Sequence, residues 1–222
     1  MTIQLACLDM AGTTVADGGL VHQAFQVSLD QLRVAPADRD RMTDYVRDTM
    51  GTSKVEVFRA LFLDEGRAQA ANSAFEAAFC GLVRGGAVRP LPGAVETVER
   101  LQAGGVRVAL TTGFSVATRR LLLEVLGWEG LADLALSPAD AGRGRPYPDM
   151  ILVAVLRLGV DSVQAVAVAG DTEVDMVSGR RAGASVVAGV LTGADGRDRL
   201  ERGGATAVLA SVADLPDLLG LP

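Results

Sequence analysis

The stretch Leu5–Val15, LACLDMAGTTV, joins an apolar run to an aspartate and a glycine-containing turn. The apolar residues of Ile3–Leu8 predict a strand that is buried on both faces of a parallel sheet. Asp9 follows this strand directly, and Gly12 permits a tight turn after it. A carboxylate at a strand end can attack phosphorus, but aspartate is also a favoured capping residue. The stretch alone therefore leaves two interpretations of Asp9 open.

The rest of the chain alternates short apolar runs with helical patterns. Further strands are predicted at Val106–Thr111, Leu131–Leu136, Val163–Ala169, Ala184–Leu191 and Ala205–Ala210. Helices are predicted between them at Pro92–Ala103, Val116–Leu126 and Pro148–Leu158. This alternation predicts the α/β class with a doubly wound parallel sheet, whose ligand site lies beyond the carboxyl ends of the strands.

One long segment, from Gly19 to about Arg84, contains helical patterns without a strand between them. The predicted helices are His22–Arg33, Arg41–Thr49, Ser53–Leu63 and Ala68–Leu82. The sequence PLPG at 90–93 marks the return to the alternating pattern. We therefore predict a helical cap at residues 17–86, inserted after the first strand of a Rossmann-like core formed by residues 1–16 and 87–222.

Composition excludes several classes of function. The 21 basic and 27 acidic residues give a net charge of −6 and form no basic block, so we expect no nucleic-acid partner. No apolar run approaches the ~20 residues that span a bilayer, and no cationic leader precedes the first strand, so we expect no membrane partner and a cytoplasmic protein. Cys7 and Cys80 lack metal-ligand spacing and are interpreted as packing residues of a reducing compartment.

A second pair of carboxylates follows the predicted strand Val163–Ala169 in the sequence GDTEVD. Asp171 stands at the strand end, and Asp175 lies one helical turn later on the same face. Together with Asp9, these oxygen ligands predict a Mg²⁺ site that also screens the attack of one anion on another. In isolation, a capping Asp171 and a solvated Asp175 would explain the segment as well.

Two further segments contain groups that could bind phosphate. Thr112 and Gly113 of the TTG turn offer a hydroxyl and backbone N–H groups where a helix begins. Arg145, in GRGRPYP, precedes a proline and the next helix and could clamp a phosphoryl group. Arg143 is a competing choice for that role, and ordinary turn chemistry would also account for the TTG sequence.

These four segments, in this order and with a helical insertion after the first, resemble the haloacid dehalogenase superfamily of aspartyl-phosphate-forming hydrolases. The resemblance covers essentially the whole chain, and it implies that Asp9 becomes phosphorylated. It further implies that Mg²⁺ is held by Asp9, the backbone carbonyl of Ala11 and Asp171, with Asp175 supporting. It also implies that Thr112 and Arg145 orient the phosphoryl group. The full set of predicted substrate- and phosphate-binding residues is Gly12, Met50, Thr112, Gly113 and Arg145.

The residue two positions after Asp9 departs from the common pattern. Phosphatases of this superfamily carry an aspartate there as general acid, whereas this chain has Ala11. General acid–base catalysis typically contributes ~10²–10⁴-fold, so we expect a reaction other than simple ester hydrolysis, or an acid from elsewhere. DMAGTTV is similar to the phosphonatase branch, phosphonoacetaldehyde hydrolase, in which alanine is usual. In that branch a cap lysine forms a Schiff base with the substrate, and Met50, Gly51 and Lys54 match its cap segment.

Lys54 is the only lysine in the sequence, while every other basic residue is arginine. An arginine side chain stays protonated and cannot act as an amine nucleophile, which favours a chemical role for Lys54. Three further positions depart from the branch: Val57 replaces a histidine, Gly18 and Gly19 stand where a cysteine is expected, and Phe114 replaces a tyrosine. His22, the single histidine, is interpreted as a surface or capping residue.

Three hypotheses of function follow. The first is a Mg²⁺-dependent hydrolase that cleaves the carbon–phosphorus bond of a small carbonyl phosphonate through a Lys54 imine. The second is a phosphomonoesterase or phosphotransferase that acts on a small phosphorylated metabolite, with Lys54 binding only charge. The third, suggested by Ala11, is a non-catalytic protein that binds a phosphorylated metabolite. The substrate and the oligomeric state stay open, and the resemblance implies a homodimer formed through the cap as one arrangement.

Overall fold

Six short strands form one parallel sheet in the computed structural model, which describes residues 2–221. In chain order the strands are β1 (Leu5–Asp9), β2 (Arg107–Thr111), β3 (Leu134–Leu136), β4 (Val166–Gly170), β5 (Val186–Val190) and β6 (Ala207–Leu209). Their spatial order is β3-β2-β1-β4-β5-β6, and every neighbouring pair is parallel. The strand order therefore reverses beside β1, which is where open α/β sheets bind ligands.

Eleven α-helices accompany the sheet within the described residues. They are α1 (Leu20–Gln31), α2 (Pro36–Asp48), α3 (Lys54–Phe62), α4 (Glu65–Arg84), α5 (Ala94–Ala103), α6 (Val116–Leu126), α7 (Pro138–Ala141), α8 (Asp149–Leu158), α9 (Glu173–Ala182), α10 (Arg197–Arg202) and α11 (Leu215–Leu218). None of the helices within residues 2–221 has the length and apolar character needed to cross a bilayer.

Both faces of the sheet are covered. Ala6 and Leu8 of β1 belong to one apolar cluster, which includes residues of α5 and α6, while Leu5 and Cys7 belong to a second cluster with residues of α8 and α9. Successive side chains of a strand point to opposite faces, so this division shows helices packed on each side. The α/β class and the doubly wound parallel sheet predicted from the sequence are confirmed.

The predicted elements are present with shifted ends. The helix expected at Arg41–Thr49 begins at Pro36, because proline fits the first turn of a helix, where no N–H is needed. The strand expected at Val163–Ala169 starts at Val166, because Val163–Ala165 forms a 3₁₀ turn. That turn is capped by Ser162, whose hydroxyl accepts a hydrogen bond from the Gln164 N–H at 3.1 Å.

The helices α1 to α4 follow β1 without an intervening strand, in the segment predicted to be the cap. Phe25, Phe58 and Phe75 of these helices form aromatic pairs with centroids 5.7 and 6.1 Å apart. Phe114, which lies between β2 and α6, joins this cluster, and its ring is 4.5 Å from that of Phe79. Pairs of this kind contribute about 0.5–1.5 kcal/mol beyond the area that they bury, so the cluster holds this helical segment, the predicted cap, against the end of β2.

The two chain segments that connect the predicted cap to the sheet run side by side. The Ala16 N–H donates to the Arg89 carbonyl at 2.9 Å, and the Leu91 N–H donates to the Thr14 carbonyl at 2.9 Å. An isolated bridge between Val15 and Pro90 lies between these bonds. The chain therefore leaves and re-enters the core at neighbouring points, which we call the paired crossing.

Candidate active site

Asp9 ends β1, and its side chain is buried at the carboxyl edge of the sheet. A turn follows at once: the Thr14 N–H and the Val15 N–H both donate to the Met10 carbonyl, at 2.9 and 2.7 Å. Gly12 has φ +87°, and a Cβ at this position would lie 2.4 Å from Asp171 Oδ2. Only glycine suits such a backbone and such a close approach. The turn therefore brings the loop after β1 against the carboxylate that follows β4.

Asp171 follows β4 and is also buried. Its Oδ1 accepts a hydrogen bond from the Thr13 hydroxyl at 3.1 Å, and its Oδ2 accepts one from the Ala194 N–H at 2.8 Å. A Cβ on Gly193 would lie 1.9 Å from Oδ2, so the loop after β5 closes directly over the carboxylate. Burial, reinforced by the nearby Asp175 charge, raises the pKa of Asp171 to about 7.

Arg145 lies between the carboxylates and is buried. Its Nη1 is 2.6 Å from Asp9 Oδ1, and its Nε is 2.7 Å from Asp175 Oδ1. Its Nη2 donates to the Thr111 hydroxyl at 2.6 Å. Arg143, the competing choice, is exposed and pairs with Asp149 outside the site. The structure thus places Arg145, and not Arg143, beside the predicted nucleophile.

Asp175 is the third residue of α9, and both of its oxygens have partners. Oδ1 faces Arg145, while Oδ2 accepts hydrogen bonds from the hydroxyl and the N–H of Thr172 in a capping box. In the described part of the chain, no three acidic, histidine or cysteine side chains are grouped as a metal site. The role of Asp175 as a metal-supporting residue stays a prediction, and its observed contacts fix Arg145 and the start of α9.

The pKa of Asp9 is raised well above its usual range. Burial is the main cause, and the neighbouring Asp175 and Asp171 charges add to it. The Arg145 guanidinium opposes these effects but does not overcome them. Arg145 is thus shared by the buried carboxylates of Asp9 and Asp175, while Asp171 has no salt-bridge partner among residues 2–221. One arginine therefore faces three buried carboxylates, and this excess of negative charge favours a bound cation.

Lys54 begins α3 and turns toward the core, and its side chain is buried, with a residue exposure of 9%. Its Nζ lies 5.8 Å from the centre of the Phe114 ring. Burial lowers the pKa of Lys54 to about 8, despite the opposing charges of Asp17 and Asp9. A substantial fraction of this amine is therefore neutral near physiological pH.

The loop before Lys54 packs closely on the core. Gly51 has φ +82°, and a Cβ there would lie 2.5 Å from Thr172 Oγ1. A Cβ on Gly113 would lie 2.9 Å from the Thr52 carbonyl, so the TTG turn and the cap loop touch through backbone atoms. These contacts hold Lys54 over the carboxyl edge of the sheet.

A cavity with about 330 Å³ of space between atoms, open solvent at its mouth included, lies at this edge. Its walls contain eight of the ten residues predicted for the site, all except Gly12 and Asp175. The full set of lining residues is Asp9, Ala11, Val21, Met50, Gly51, Lys54, Thr112, Gly113, Phe114, Arg145, Asp171 and Thr172. Gly12 does not line the cavity and instead packs on Asp171, and His22 is exposed on α1. This cavity is therefore the candidate active site.

Sequence reasoning missed the groups that hold these side chains. Thr13 and the loop at Gly193 and Ala194 fix Asp171, and Asp17 exerts the largest attractive charge effect on Lys54. The available signal was the TGADG sequence directly after the predicted strand Ala184–Leu191, because loops at the carboxyl edge of a parallel sheet converge. No comparable signal pointed to Asp17, since it lies far from Lys54 in sequence.

Comparison with known proteins places this site in a family. The model of haloacid dehalogenase-like hydrolases matches residues 3–183. The probable phosphatase IndB of Dickeya dadantii is 30% identical over 89% of this chain and 85% of its own length. The phosphonoacetaldehyde hydrolase of Nitratidesulfovibrio vulgaris is 29% identical over 87% of this chain and 73% of its own. The phosphonoacetaldehyde hydrolase of Hahella chejuensis is 29% identical over 58% of this chain and 51% of its own length.

Solved structures agree with the fold. A hydrolase from Pseudomonas syringae has a TM-score of 0.85 at 24% identity and covers 98% of both chains. A phosphonoacetaldehyde hydrolase-like protein from Oleispira antarctica also has a TM-score of 0.85 at 24% identity, covering 99% of this chain and 92% of its own. From the family match and the relatives together, the chain belongs to the haloacid dehalogenase-like hydrolases and is an enzyme of the phosphatase or phosphonatase kind.

Proposed function

We propose that the protein is a Mg²⁺-dependent phosphonatase-like hydrolase that cleaves the carbon–phosphorus bond of a small carbonyl phosphonate. The observation that carries this proposal is the position of Lys54: its amine is buried in the cavity that also contains Asp9, and its pKa is lowered to about 8. An amine that is partly neutral and shielded from water is suited to form an imine with a carbonyl group.

The donor set fits Mg²⁺. Asp9 and Asp171 supply two carboxylates and the backbone at Ala11 supplies a carbonyl oxygen, which matches the preference of this ion for one or two carboxylates with substrate and water as further ligands. Burial raises the pKa of both carboxylates and the charges of neighbouring carboxylates add to it, so a cation bound between them would stabilise their ionised forms. When bound, the ion neutralises charge on the phosphoryl oxygens and on the attacking carboxylate.

Lys54 reacts with the carbonyl group of the substrate. Its neutral amine adds to the substrate carbonyl, one proton is taken up from solvent, and water leaves, giving a protonated imine. Asp9 Oδ then attacks phosphorus, the carbon–phosphorus bond breaks, and its electron pair moves into the imine to form an enamine. No proton donor at residue 11 is needed for this step, which accounts for Ala11.

Two molecules of water are then consumed, one to hydrolyse the imine and one to hydrolyse the phosphorylated Asp9. The first balances the water released when the imine formed. The enamine takes up a proton at carbon, and hydrolysis of the resulting imine frees the carbonyl product and Lys54. Hydrolysis of the phosphorylated Asp9 releases inorganic phosphate. Arg145, held by Asp175 and Thr111, keeps a positive charge at the phosphoryl group throughout.

A phosphomonoesterase is the second candidate, and the surroundings of Lys54 favour it. Val57, one turn along α3, is buried and apolar, and the single histidine His22 is exposed on α1. An imine route therefore lacks the histidine that could move protons. In this case Lys54 would bind an anionic substrate group by charge alone, as its neighbour Arg145 does.

The discriminating experiment is turnover of a panel of carbonyl phosphonates and phosphate esters by the wild type and by the Lys54→Arg variant, with Mg²⁺ present. Imine chemistry predicts carbonyl phosphonate cleavage that falls at least about 10³-fold in Lys54→Arg, and an adduct at Lys54 that borohydride traps. Turnover of phosphate esters that survives in Lys54→Arg, without any trapped adduct, would instead establish the phosphomonoesterase.

A further inference from the structure

A second cavity adjoins the site on the cap side. It contains about 560 Å³ of space between atoms, open solvent included, and shares Lys54, Gly113 and Phe114 with the first cavity. Its remaining walls come from α3 and α4 of the cap and from the Ser115 and Pro138 regions of the core. We call it the side chamber. A group attached to the carbon that reacts with Lys54 can extend into it.

The side chamber has a polar wall formed by α4. Glu76 accepts a hydrogen bond from the Ser115 hydroxyl at 3.0 Å and a long one from the Asn72 amide at 3.4 Å. Within residues 2–221, no basic side chain pairs with Glu76 in a salt bridge. The Asn72 Oδ1 is buried and receives no hydrogen bond from the described protein atoms.

Both features favour a ligand that donates hydrogen bonds. A buried acceptor without a donor is destabilising, and this destabilisation is removed when a ligand supplies the donor. A carboxylate without a cationic partner likewise gains from a hydroxyl or ammonium group. The Asn72 amide is already oriented by its bond to Glu76, so its oxygen is the end that is left to receive a donor.

We infer that the side chamber is the binding site for the organic part of the substrate, and that this part carries a hydroxyl or amino group which donates to Glu76 and Asn72. The inference rests on the proposed function, because it assumes that the phosphoryl group occupies the Asp9 cavity. It narrows the substrate from a bare two-carbon carbonyl phosphonate to one with a longer, donor-bearing chain.

The contact between Glu76 and Ser115 has a second consequence, since it links the cap helix α4 to the N-cap of α6. If Glu76 served only to hold the cap on the core, its replacement would weaken every ligand equally. A binding role would instead weaken only ligands with a donor. This difference defines the test.

The test measures binding of four probes to the Mg²⁺-loaded wild type by calorimetry: inorganic phosphate, propylphosphonate, 3-hydroxypropylphosphonate and 3-aminopropylphosphonate. The three phosphonates lack a carbonyl group and cannot form the imine, so they stay intact. We expect the hydroxyl and amino probes to bind at least about 10-fold more tightly than propylphosphonate. Glu76→Gln and Asn72→Leu should each reduce this preference, while propylphosphonate affinity changes less than about 2-fold.

Glu99→Gln, an exposed glutamate on α5, is the matched control and should alter no affinity. Equal affinity of the three phosphonates, or an equal loss for all of them in Glu76→Gln, overturns the inference while leaving the proposed function intact. Failure of every probe to bind, inorganic phosphate included, contradicts the phosphoryl site itself and so removes both. Melting temperatures of the variants show whether a uniform loss follows from unfolding.

Discussion

The rate at which Lys54 reacts with a carbonyl substrate should depend on pH in a way that the structure specifies. Burial lowers the pKa of this lysine from about 10.5 to about 8. At pH 7 the neutral fraction is then roughly 9%, against roughly 0.03% for a solvated lysine, a gain of about 300-fold. Formation of the trapped adduct should therefore rise about tenfold per pH unit from pH 6 and level off above pH 8.

The assay uses a carbonyl phosphonate, cyanoborohydride as the trap and mass spectrometry of the intact protein. Lys54 is the only lysine in the sequence, so a single mass shift mapped to its peptide identifies the adduct. The Lys54→Arg variant should show no shift at that peptide. Phe114→Ser, which removes the ring 5.8 Å from Nζ and admits water, should move the inflection toward higher pH.

A rate that continues to rise tenfold per unit up to pH 10 would refute the reasoning, because it would show an amine with an ordinary pKa. An inflection near pH 8 that Phe114→Ser leaves in place would show that burial beside this ring is not the cause.

Three further outcomes follow from the same site. Ala11→Asp places a carboxylic acid beside Asp9 and should raise phosphate-ester hydrolysis by ~10²-fold or more, measured by phosphate release; an unchanged rate would show that the acid is not what limits this reaction. Lys54→Met removes a buried charge and should raise the free energy of unfolding at pH 7 by up to about 3 kcal/mol in urea titrations. Because the folded pKa is the lower one, this gain is complete below pH 8 and fades between pH 8 and about 10.5; a gain that persists at pH 10.5 would contradict it. Gly193→Ala puts a Cβ 1.9 Å from Asp171 Oδ2 and should weaken Mg²⁺ activation at least tenfold, whereas Gly196→Ala, with open space around it, should match the wild type.

The sequence was sufficient for the sheet and for the residues that end its strands. Asp9, Thr112 and Asp171 each follow a continuous apolar run, and this local pattern is enough to place them at one edge of a parallel sheet. Lys54 was predicted from the resemblance of Met50, Gly51 and Lys54 to the cap segment of the phosphonatase branch, and its being the only lysine in the sequence supported that prediction. For each of these positions, the residue itself and its neighbours in the sequence were enough for the prediction.

The partners that fix these residues could not be predicted in the same way. The choice between Arg143 and Arg145 depends on which side chain turns inward, and both follow a glycine in GRGRPYP. The contacts of Glu76 with Ser115 and of Asp171 with Ala194 join residues far apart in sequence, and their side chains carry no periodic pattern. Such contacts are set by how the helices of the cap and the loops of the core come together.

The paired crossing at Val15 and Pro90 has a consequence for how such an enzyme can diversify. Since the inserted segment starts and ends at neighbouring points, closing it costs an entropy that grows only slowly with its length. Insertions of other sizes can thus be exchanged at the same junction without rebuilding the sheet. When the inserted segment is exchanged, Asp9 and Asp171 are retained in the chain, whereas Lys54 and Glu76 are replaced with the segment. On the proposed function, the phosphorus chemistry and the choice of organic group therefore depend on two separate segments of the chain.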